Sequence, residues 1–468
     1  MASATSFPTL EAPPPPSALD RILRVFGDVR AGEGGRVVLM FLNVFLLLLA
    51  YYILKTVREP LILQGGGAEL KTYAGAVQAL ALVLYVPLYG WVASRLPRQK
   101  LVVAVVLFFT ACLEAFFVAG RAEVPRVGFA FYVWVGIFNL TMVAQFWSYA
   151  NDVYRRSEGE RLFPLIAIGS TIGAPLGSLL AARLFATGMS PFTMMQIAAA
   201  LLVVHLGIYL LQFGDWSESA APAAPLDRGG GFSLVLRSRY LLLFAAMLIL
   251  LNFVNTIGEY ILDRYVTAAA QETVAAAVAA QPDLDAKEKL RVERSFIGEF
   301  KGRYLTGVNV TALALQAFVV SRLVRFGGIA AALLFMPLVS LGSYAFAALG
   351  ASLPVLRWAK TAENGADYSV MNSAKQMLWL PTSREEKYKA KQAIDTFFVR
   401  TGDMSAAAFV FFATHELGLG ARGFAVVNVA LVAAWLVVAW RLLRENRRLT
   451  GAPEAPAAPD GAPAPAAA

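Results

Sequence analysis

The chain has 468 residues and a formal net charge of +9, with 58% hydrophobic but only 16% charged residues. An ordinary soluble domain carries about 25% charged residues, so this composition excludes a water-soluble enzyme of this length. The basic residues are scattered between apolar runs, which indicates membrane topology and not a nucleic-acid-binding surface.

The cysteine and histidine content excludes further classes. A single cysteine, Cys112, leaves no intramolecular disulfide, and two histidines exclude a His-rich metal site. We therefore predict no metal and no cofactor.

Apolar runs of about 20 residues, the helix length that crosses a bilayer, recur along the whole chain. They lie near 37–54, 72–93, 101–119, 128–149, 164–185 and 191–213, and then near 240–262, 304–323, 328–349, 353–378, 397–413 and 423–443. The pattern predicts an all-α membrane protein with about twelve transmembrane helices in two six-helix bundles.

The segments between and beyond the apolar runs predict the domain organisation. We predict a disordered cytoplasmic tail (1–35), a first bundle (36–213), a cytoplasmic linker (214–238), a second bundle (239–443) with an external insertion (267–303), and a second disordered cytoplasmic tail (444–468). The insertion is alanine-rich and then densely charged, which is typical of amphipathic helices. Mixed charge favours a solvated appendage over a lid.

Basic residues fall on one side of the membrane if the spans alternate, and the side rich in Lys and Arg is usually cytoplasmic. Both termini are therefore predicted to be cytoplasmic, in a bacterial inner membrane. Charged residues of the loop between spans four and five are interpreted as a cytoplasmic latch, namely Asp152, Arg155, Arg156 and Arg161 together with Glu160.

The two sets of spans resemble each other. The sequence SRLPR after span two, at 94–98, returns as SRLVR after span eight, at 321–325. Parallel repeats of this kind are the architecture of the major facilitator superfamily, and the segment 90–100 resembles the loop signature of that superfamily. The resemblance implies a major-facilitator-like fold.

Charged groups inside membrane spans are costly and are functional candidates by default. Span one carries Lys55 and Arg58 on one helical face, where they serve either a substrate or the membrane interface by snorkelling. Span seven carries a polar stripe of Asn252, Asn255 and Glu259, with Asp263 one turn further. We favour a cavity lining over helix–helix contacts for this stripe.

Span ten has an alternating charge pattern on one face, formed by Lys360, Glu363, Asp367 and Lys375. We favour a substrate pathway over a structural ion-pair ladder. Span five has small residues at Gly169, Gly173 and Gly177, a spacing typical of close helix packing that would let one bundle rock on the other.

Motifs for energy-driven or enzymatic chemistry are missing from the sequence. It has no G-x-x-x-x-G-K-[ST] phosphate loop, no H-E-x-x-H zinc motif and no dinucleotide fingerprint. A transporter driven by gradients or exchange, and not an enzyme, is therefore predicted.

Several segments resemble one transporter family. They are 52–61 (YILKTVREPL), 146–152 (FWSYAND), 160–166 (ERLFPLI) and 368–381 (YSVMNSAKQMLWLP). Together they are similar to signatures of the ATP/ADP translocases of plastids and obligate intracellular bacteria, distant relatives of the major facilitators. The likeness runs in order through most of both halves.

The resemblance implies a nucleotide antiporter, with Arg58, Glu259 and Lys375 at positions implicated in substrate binding and exchange. The family's span-one base is a lysine where this chain has Arg58, and its span-four acid falls near Val135 and is missing here. Several cations would offset the charge of a bound nucleotide, and the full set of predicted substrate-binding residues is Lys55, Arg58, Glu259, Asp367, Lys375 and Arg400.

Two other hypotheses remain open at this point. One is a proton-coupled transporter of another anionic metabolite, with Glu259 or Asp367 carrying the proton. The other is a non-transporting membrane scaffold, which the buried charge of span ten disfavours. The predicted partners are a nucleotide or similar phosphorylated anion and membrane lipid, without nucleic acid, and the protein is expected to act as a monomer.

Overall fold

The computed structural model describes residues 17–212, 230–383 and 386–451. Within these ranges the chain is helical and forms no β-strand, so the predicted fold class is confirmed. Helices suit a bilayer because they satisfy their backbone hydrogen bonds within one segment. Of the predicted disordered tails and the linker, residues 1–16, 214–229 and 452–468 fall outside the described residues. The described parts contain helix, namely Ala18–Leu23 in the first tail, Gly231–Arg237 in the linker and the end of Ala421–Gly451 in the second tail.

The first half of the chain (17–212) forms six helices. They are α1 (Ala18–Leu23), α2 (Gly34–Ala93), α3 (Arg98–Arg121), α4 (Val127–Val153), α5 (Arg156–Ala186) and α6 (Pro191–Leu211). The helix α2 is 60 residues long, about 90 Å if it were straight.

The second half (230–451) forms nine helices among its described residues. They are α7 (Gly231–Arg237), α8 (Arg239–Ala280), α9 (Ala286–Ala314), α10 (Val320–Ala348), α11 (Leu353–Ala366), α12 (Asn372–Leu378), α13 (Lys391–Ala393), α14 (Val399–His415) and α15 (Ala421–Gly451). Short π-helical turns occupy Leu315–Val319, Asp367–Met371, Glu386–Ala390 and Ile394–Phe398.

Eight continuous helical segments of the described chain are long and apolar enough to cross a membrane. Two of them, Gly34–Ala93 and Ala286–Ala348, are each broken by glycine: Gly67 has φ 69° and Gly328 has φ 60°, a region that side chains with a Cβ rarely adopt. Each therefore supplies two spans. The charged segment from α11 to α12 and the segment from Ile394 to the end of α14 correspond to the two remaining predicted spans, 353–378 and 397–413, and are not among these eight.

Each half has its own apolar core. Phe138 and Met195 are fully buried in the first half, as are Phe244 and Trp435 in the second. We call the end at which α2 turns at Gly67 and α8 joins α9 the distal end, and the opposite end, where α2 begins and α15 ends, the terminal end.

The structure differs from the sequence-based expectation at the segment 267–303. The helix α8 continues span seven to Ala280, and α9 begins at Ala286, so the segment extends spans seven and eight instead of forming a separate appendage. The break between them contains Pro282. The later part of the segment is partly buried, because Gly298 packs against Phe185 of α5 and the buried Lys301 lies 3.7 Å from Glu59 of α2.

Close contacts between helices occur both within the first half and between the two halves. Cβ atoms built at Gly169, Gly173 and Gly177 would lie 2.5, 2.6 and 2.5 Å from carbonyl oxygens of α2, those of Phe41, Phe45 and Leu49. Both helices belong to the first half, so this ridge packs one bundle internally and does not lie between bundles. A close backbone contact between the halves is made instead by Gly302 of α9, because a Cβ there would lie 2.8 Å from the Ser178 carbonyl oxygen of α5.

Candidate functional site

A polar cavity of about 220 Å³ lies where the two halves meet. The first half contributes α2 and α4, and the second contributes α8, α9, α11, the turn Asp367–Met371 and α14. The charged residues of its lining are Lys55, Arg58, Glu59, Lys71, Glu259, Asp263, Lys301, Arg400 and Asp403, and the polar ones include Gln78, Tyr132, Asn255, Tyr304, Asn364 and Tyr368. Substrate sites of transporters with two repeats lie at such an interface.

Lys55 is a cation of this lining without a carboxylate partner among the described residues. Its Nζ lies 5.9, 5.1 and 5.8 Å from the ring centroids of Tyr51, Tyr52 and Tyr368. Aromatic faces stabilise an ammonium group by cation–π attraction, but they do not neutralise its charge. The cavity therefore holds an uncompensated positive charge.

Arg58 lies one turn further along α2. Its guanidinium carbon is 4.3 Å from the ring centroid of Tyr132, and its Nε is 3.3 Å from Oε1 of the adjacent Glu59. The guanidinium lies over the aromatic ring and leaves its remaining N–H groups for an anion, and its planar fork of donors is one that a lysine does not reproduce.

Four further residues form buried ion pairs at the distal side of the cavity. Lys71 Nζ lies 2.6 Å from Glu59 Oε2 and 2.8 Å from Asp263 Oδ2. Lys301 pairs with the same Asp263 and lies 3.7 Å from Glu59. All four residues are buried, and buried charges are stable only when paired and hydrogen-bonded.

The ion pairs continue into the second half. Glu259 lies 3.9 Å from Lys71, 3.9 Å from Lys301 and 3.8 Å from Lys360, and Lys360 pairs with Glu363 at 2.9 Å. Tyr304 and Asn364 donate hydrogen bonds to Glu259, each at 2.9 Å. We call Arg58, Glu59, Lys71, Glu259, Asp263, Lys301, Lys360 and Glu363 the central ion network.

The structure brings together four of the six predicted substrate-binding residues. Lys55, Arg58, Glu259 and Arg400 line the cavity, and Arg400 lies 3.3 Å from Asp403. Asp367 and Lys375 pair with each other at 3.4 Å and do not line it.

The residues predicted to line the cavity divide similarly. Asn255 lines it, whereas Lys360 and Glu363 lie behind Glu259, where Glu363 accepts hydrogen bonds from Tyr344 and Ser340. Asn252 faces α14 instead, because its Cβ lies beside Gly402, and its amide nitrogen donates to the Leu248 carbonyl within α8.

The predicted latch lies at the terminal end. Arg161 donates to Glu33 at 2.8 Å and to the Asp28 carbonyl, both in the first half. Partial burial raises the pKa of Glu33, but the hydrogen bonds from Arg161 and from the Arg30 backbone, together with the charges of these two arginines, hold the pKa below its ordinary value. The backbone N–H of Arg155 donates to Glu158, and Asp152 and Arg156 stand at the adjoining ends of α4 and α5.

Sequence reasoning did not select Glu59, Lys71 and Lys301 as site residues, and it noted Asp263 only as one turn beyond the polar stripe of span seven. Each lies at or beyond the edge of a predicted apolar span, where a charge usually marks a loop. One signal could have identified Lys301: the apolar residues Ile297, Tyr304 and Val308 repeat with it at helical spacing.

Comparisons with known proteins agree with this architecture. A family model described as TLC ATP/ADP transporter matches residues 17–119 and 358–446. The chain is 22% identical to ADP,ATP carrier protein 1 of Chlamydia pneumoniae, over 88% of this chain and 92% of that protein. It is 24% identical to the protein of the same name from Chlamydia trachomatis, over 87% of this chain and 88% of that one.

Solved structures with a similar fold are membrane transporters. The nucleoside transporter NupG aligns with a TM-score of 0.59 and 14% identity, over 88% of this chain and 99% of that one. A POT family transporter aligns with a TM-score of 0.61 and 11% identity, over 89% and 97%. These comparisons confirm both the family resemblance and the major-facilitator-like fold expected from the sequence.

Proposed function

Because this chain is a multi-pass membrane transporter related to the TLC ATP/ADP transporters, we propose that it exchanges nucleotides across the membrane by alternating access. The observation that carries the proposal is the uncompensated Lys55 in a cavity between the halves. The phosphate chain of a nucleotide supplies the negative charge that this lysine lacks. We propose transport without an enzymatic reaction.

The surroundings of Lys55 suit the two parts of a nucleotide. Arg58 and Arg400 line the same cavity and can contact phosphate oxygens. Tyr52 and Tyr368 can stack on a base, and the amide nitrogen of Asn309, beside Tyr52, is a buried donor without a partner among the described residues. Such a donor can form a hydrogen bond with an acceptor atom of the base.

The cavity must widen to admit this substrate. Pockets for ligands of drug size usually measure about 300–1,000 Å³, whereas this cavity measures about 220 Å³. The structure therefore represents a contracted state, and movement of the halves would open the site to each side in turn.

The orientation in the membrane is also part of the proposal. We propose a bacterial inner membrane with both termini in the cytoplasm and the distal end outside. The orientation is supported by the basic residues that gather in the loops of the terminal end. Both halves that form the cavity come from one chain, so a monomer in contact with lipid is sufficient for transport.

Exchange in proteoliposomes tests the proposed function. Purified protein should take up labelled ATP only when the vesicles contain ADP or ATP. Lys55→Gln should lower the exchange rate by about 10- to 100-fold, since charge-assisted contacts contribute roughly 1.5–3 kcal/mol. The matched control is Lys287→Gln on the exposed face of α9, which should exchange normally.

Other outcomes would contradict the proposal. Unchanged exchange in Lys55→Gln would remove Lys55 from the site, and no exchange of any nucleotide would refute the proposed cargo. Uptake driven by a pH gradient into empty vesicles would instead support proton-coupled transport of another anion.

A further inference from the structure

The central ion network is neutral as a whole, but the residues that each half of the chain contributes to it carry a net charge. It contains four basic residues, Arg58, Lys71, Lys301 and Lys360, and four acidic ones, Glu59, Glu259, Asp263 and Glu363. The first half contributes two basic residues and one acidic residue, and therefore has one excess positive charge. The second half has one excess negative charge.

The excess charges meet across the boundary between the halves. Lys71 of α2 lies 2.8 Å from Asp263 of α8, which is the shortest ion pair that joins the halves among the described residues. Lys71 is 7% exposed and Asp263 is 1% exposed. A buried pair of this kind is strongly destabilised when one partner is removed, because the other charge is left uncompensated.

Opening the distal end would separate this pair. Lys71 would keep only Glu59 as an ion-pair partner, and Glu59 also pairs with Arg58. The excess positive charge of the first half would then face the cavity, beside the unpaired Lys55. An anion bound there can replace Asp263 as the counter-ion, and without an anion the separation is unfavourable.

We propose that Lys71 is a substrate-binding residue of the open state and that Asp263 competes with the substrate anion for it. An empty transporter then stays closed at the distal end, and nucleotide leaves only in exchange for nucleotide. This inference rests on the proposed function for the identity of the anion. Its first test needs no nucleotide.

Accessibility of a reporter cysteine tests the closure. Gly75 lines the cavity and a Cβ there meets no atom within 4 Å, so Gly75→Cys in a Cys112→Ala background provides the reporter. In vesicles without nucleotide, a membrane-impermeant thiol reagent added at the distal side should label this cysteine slowly. Adding Asp263→Asn should raise the labelling rate about tenfold.

A matched control separates closure from a general effect of lost charge. Glu299→Gln breaks an ion pair with Arg303 within one turn of α9 and should leave the labelling rate unchanged. If Asp263→Asn does not yield monodisperse protein, the double variant Lys71→Gln/Asp263→Asn removes both charges and should label equally fast. Slow labelling in every well-folded variant would overturn the inference.

Efflux provides the second test. Vesicles loaded with labelled ATP should release it from the wild type only when nucleotide is outside, whereas Asp263→Asn should release it into nucleotide-free buffer. Strict dependence on external nucleotide in Asp263→Asn would contradict the inference. If the wild type moves no nucleotide at all, the proposed function fails while the labelling experiment still decides on the closure.

Discussion

At the scale of single residues, aromatic rings position the cations of the cavity. Tyr132 supports Arg58 from 4.3 Å. Tyr132→Leu should raise the apparent KM for nucleotide about 2- to 30-fold, since a cation–π contact contributes about 0.5–2 kcal/mol. Concentration-dependent exchange by the purified variant measures the effect.

The control for this prediction is Phe326→Leu, which shortens an aromatic residue that is 81% exposed. Its KM should equal that of the wild type. A Tyr132→Leu variant with wild-type KM would mean that Arg58 needs no aromatic support to bind substrate.

Part of the central ion network could be predicted, because Glu259, Lys360 and Glu363 lie inside predicted apolar runs. A charge there has an obvious insertion cost and is recognised from the sequence alone. Lys71 immediately precedes span two and Asp263 follows span seven, so both resemble loop charges. Their burial depends on the packing of α2 against α8. The local sequence pattern does not show this contact between distant parts of the chain.

At the scale of elements, the glycine ridge of α5 sets its distance from α2. Gly173→Val should lower the thermal unfolding midpoint, because its Cβ would lie 2.6 Å from a backbone carbonyl oxygen that cannot turn aside. Overpacking of this kind costs about 1–3 kcal/mol. Thermal unfolding in detergent provides the measurement.

Gly207→Ala on α6 is the matched control, because a Cβ there meets nothing within 4 Å. It should leave the midpoint unchanged or raise it slightly, as alanine is the better helix former. Equal midpoints for Gly173→Val and wild type would show that α5 can move away from α2 without loss.

The number and order of helices could be predicted because each apolar run has the length of a bilayer. The extensions of α8 and α9 could not, since their composition is that of a wetted surface. A helix of 42 residues, about 63 Å long, exceeds the hydrocarbon thickness, and only contacts with α5 and α2 show that part of this charged extension is buried.

At the scale of the whole molecule, polar contacts join the halves at the distal end. Gln64 of α2 donates to Glu293 of α9 at 2.9 Å. A cysteine pair, Gln64→Cys/Glu293→Cys in a Cys112→Ala background, should abolish nucleotide exchange when oxidised or cross-linked. Exchange should return on reduction, because alternating access requires these ends to separate.

The control pair Glu299→Cys/Arg303→Cys lies within α9 and should exchange normally under both conditions. Full exchange by the cross-linked Gln64→Cys/Glu293→Cys protein would show that the distal ends do not part during transport, and would also contradict the role proposed for Lys71.

The glycine break in α2 has a consequence for biosynthesis. Spans one and two are separated by only a two-residue interruption at Gly66 and Gly67, so they can enter the membrane as one helical hairpin. Within that hairpin Glu59 and Lys71 already face each other at 2.6 Å. The translocon therefore receives Glu59 and Lys71 as a neutral ion pair. Both side chains can be buried before the second half of the chain is synthesised.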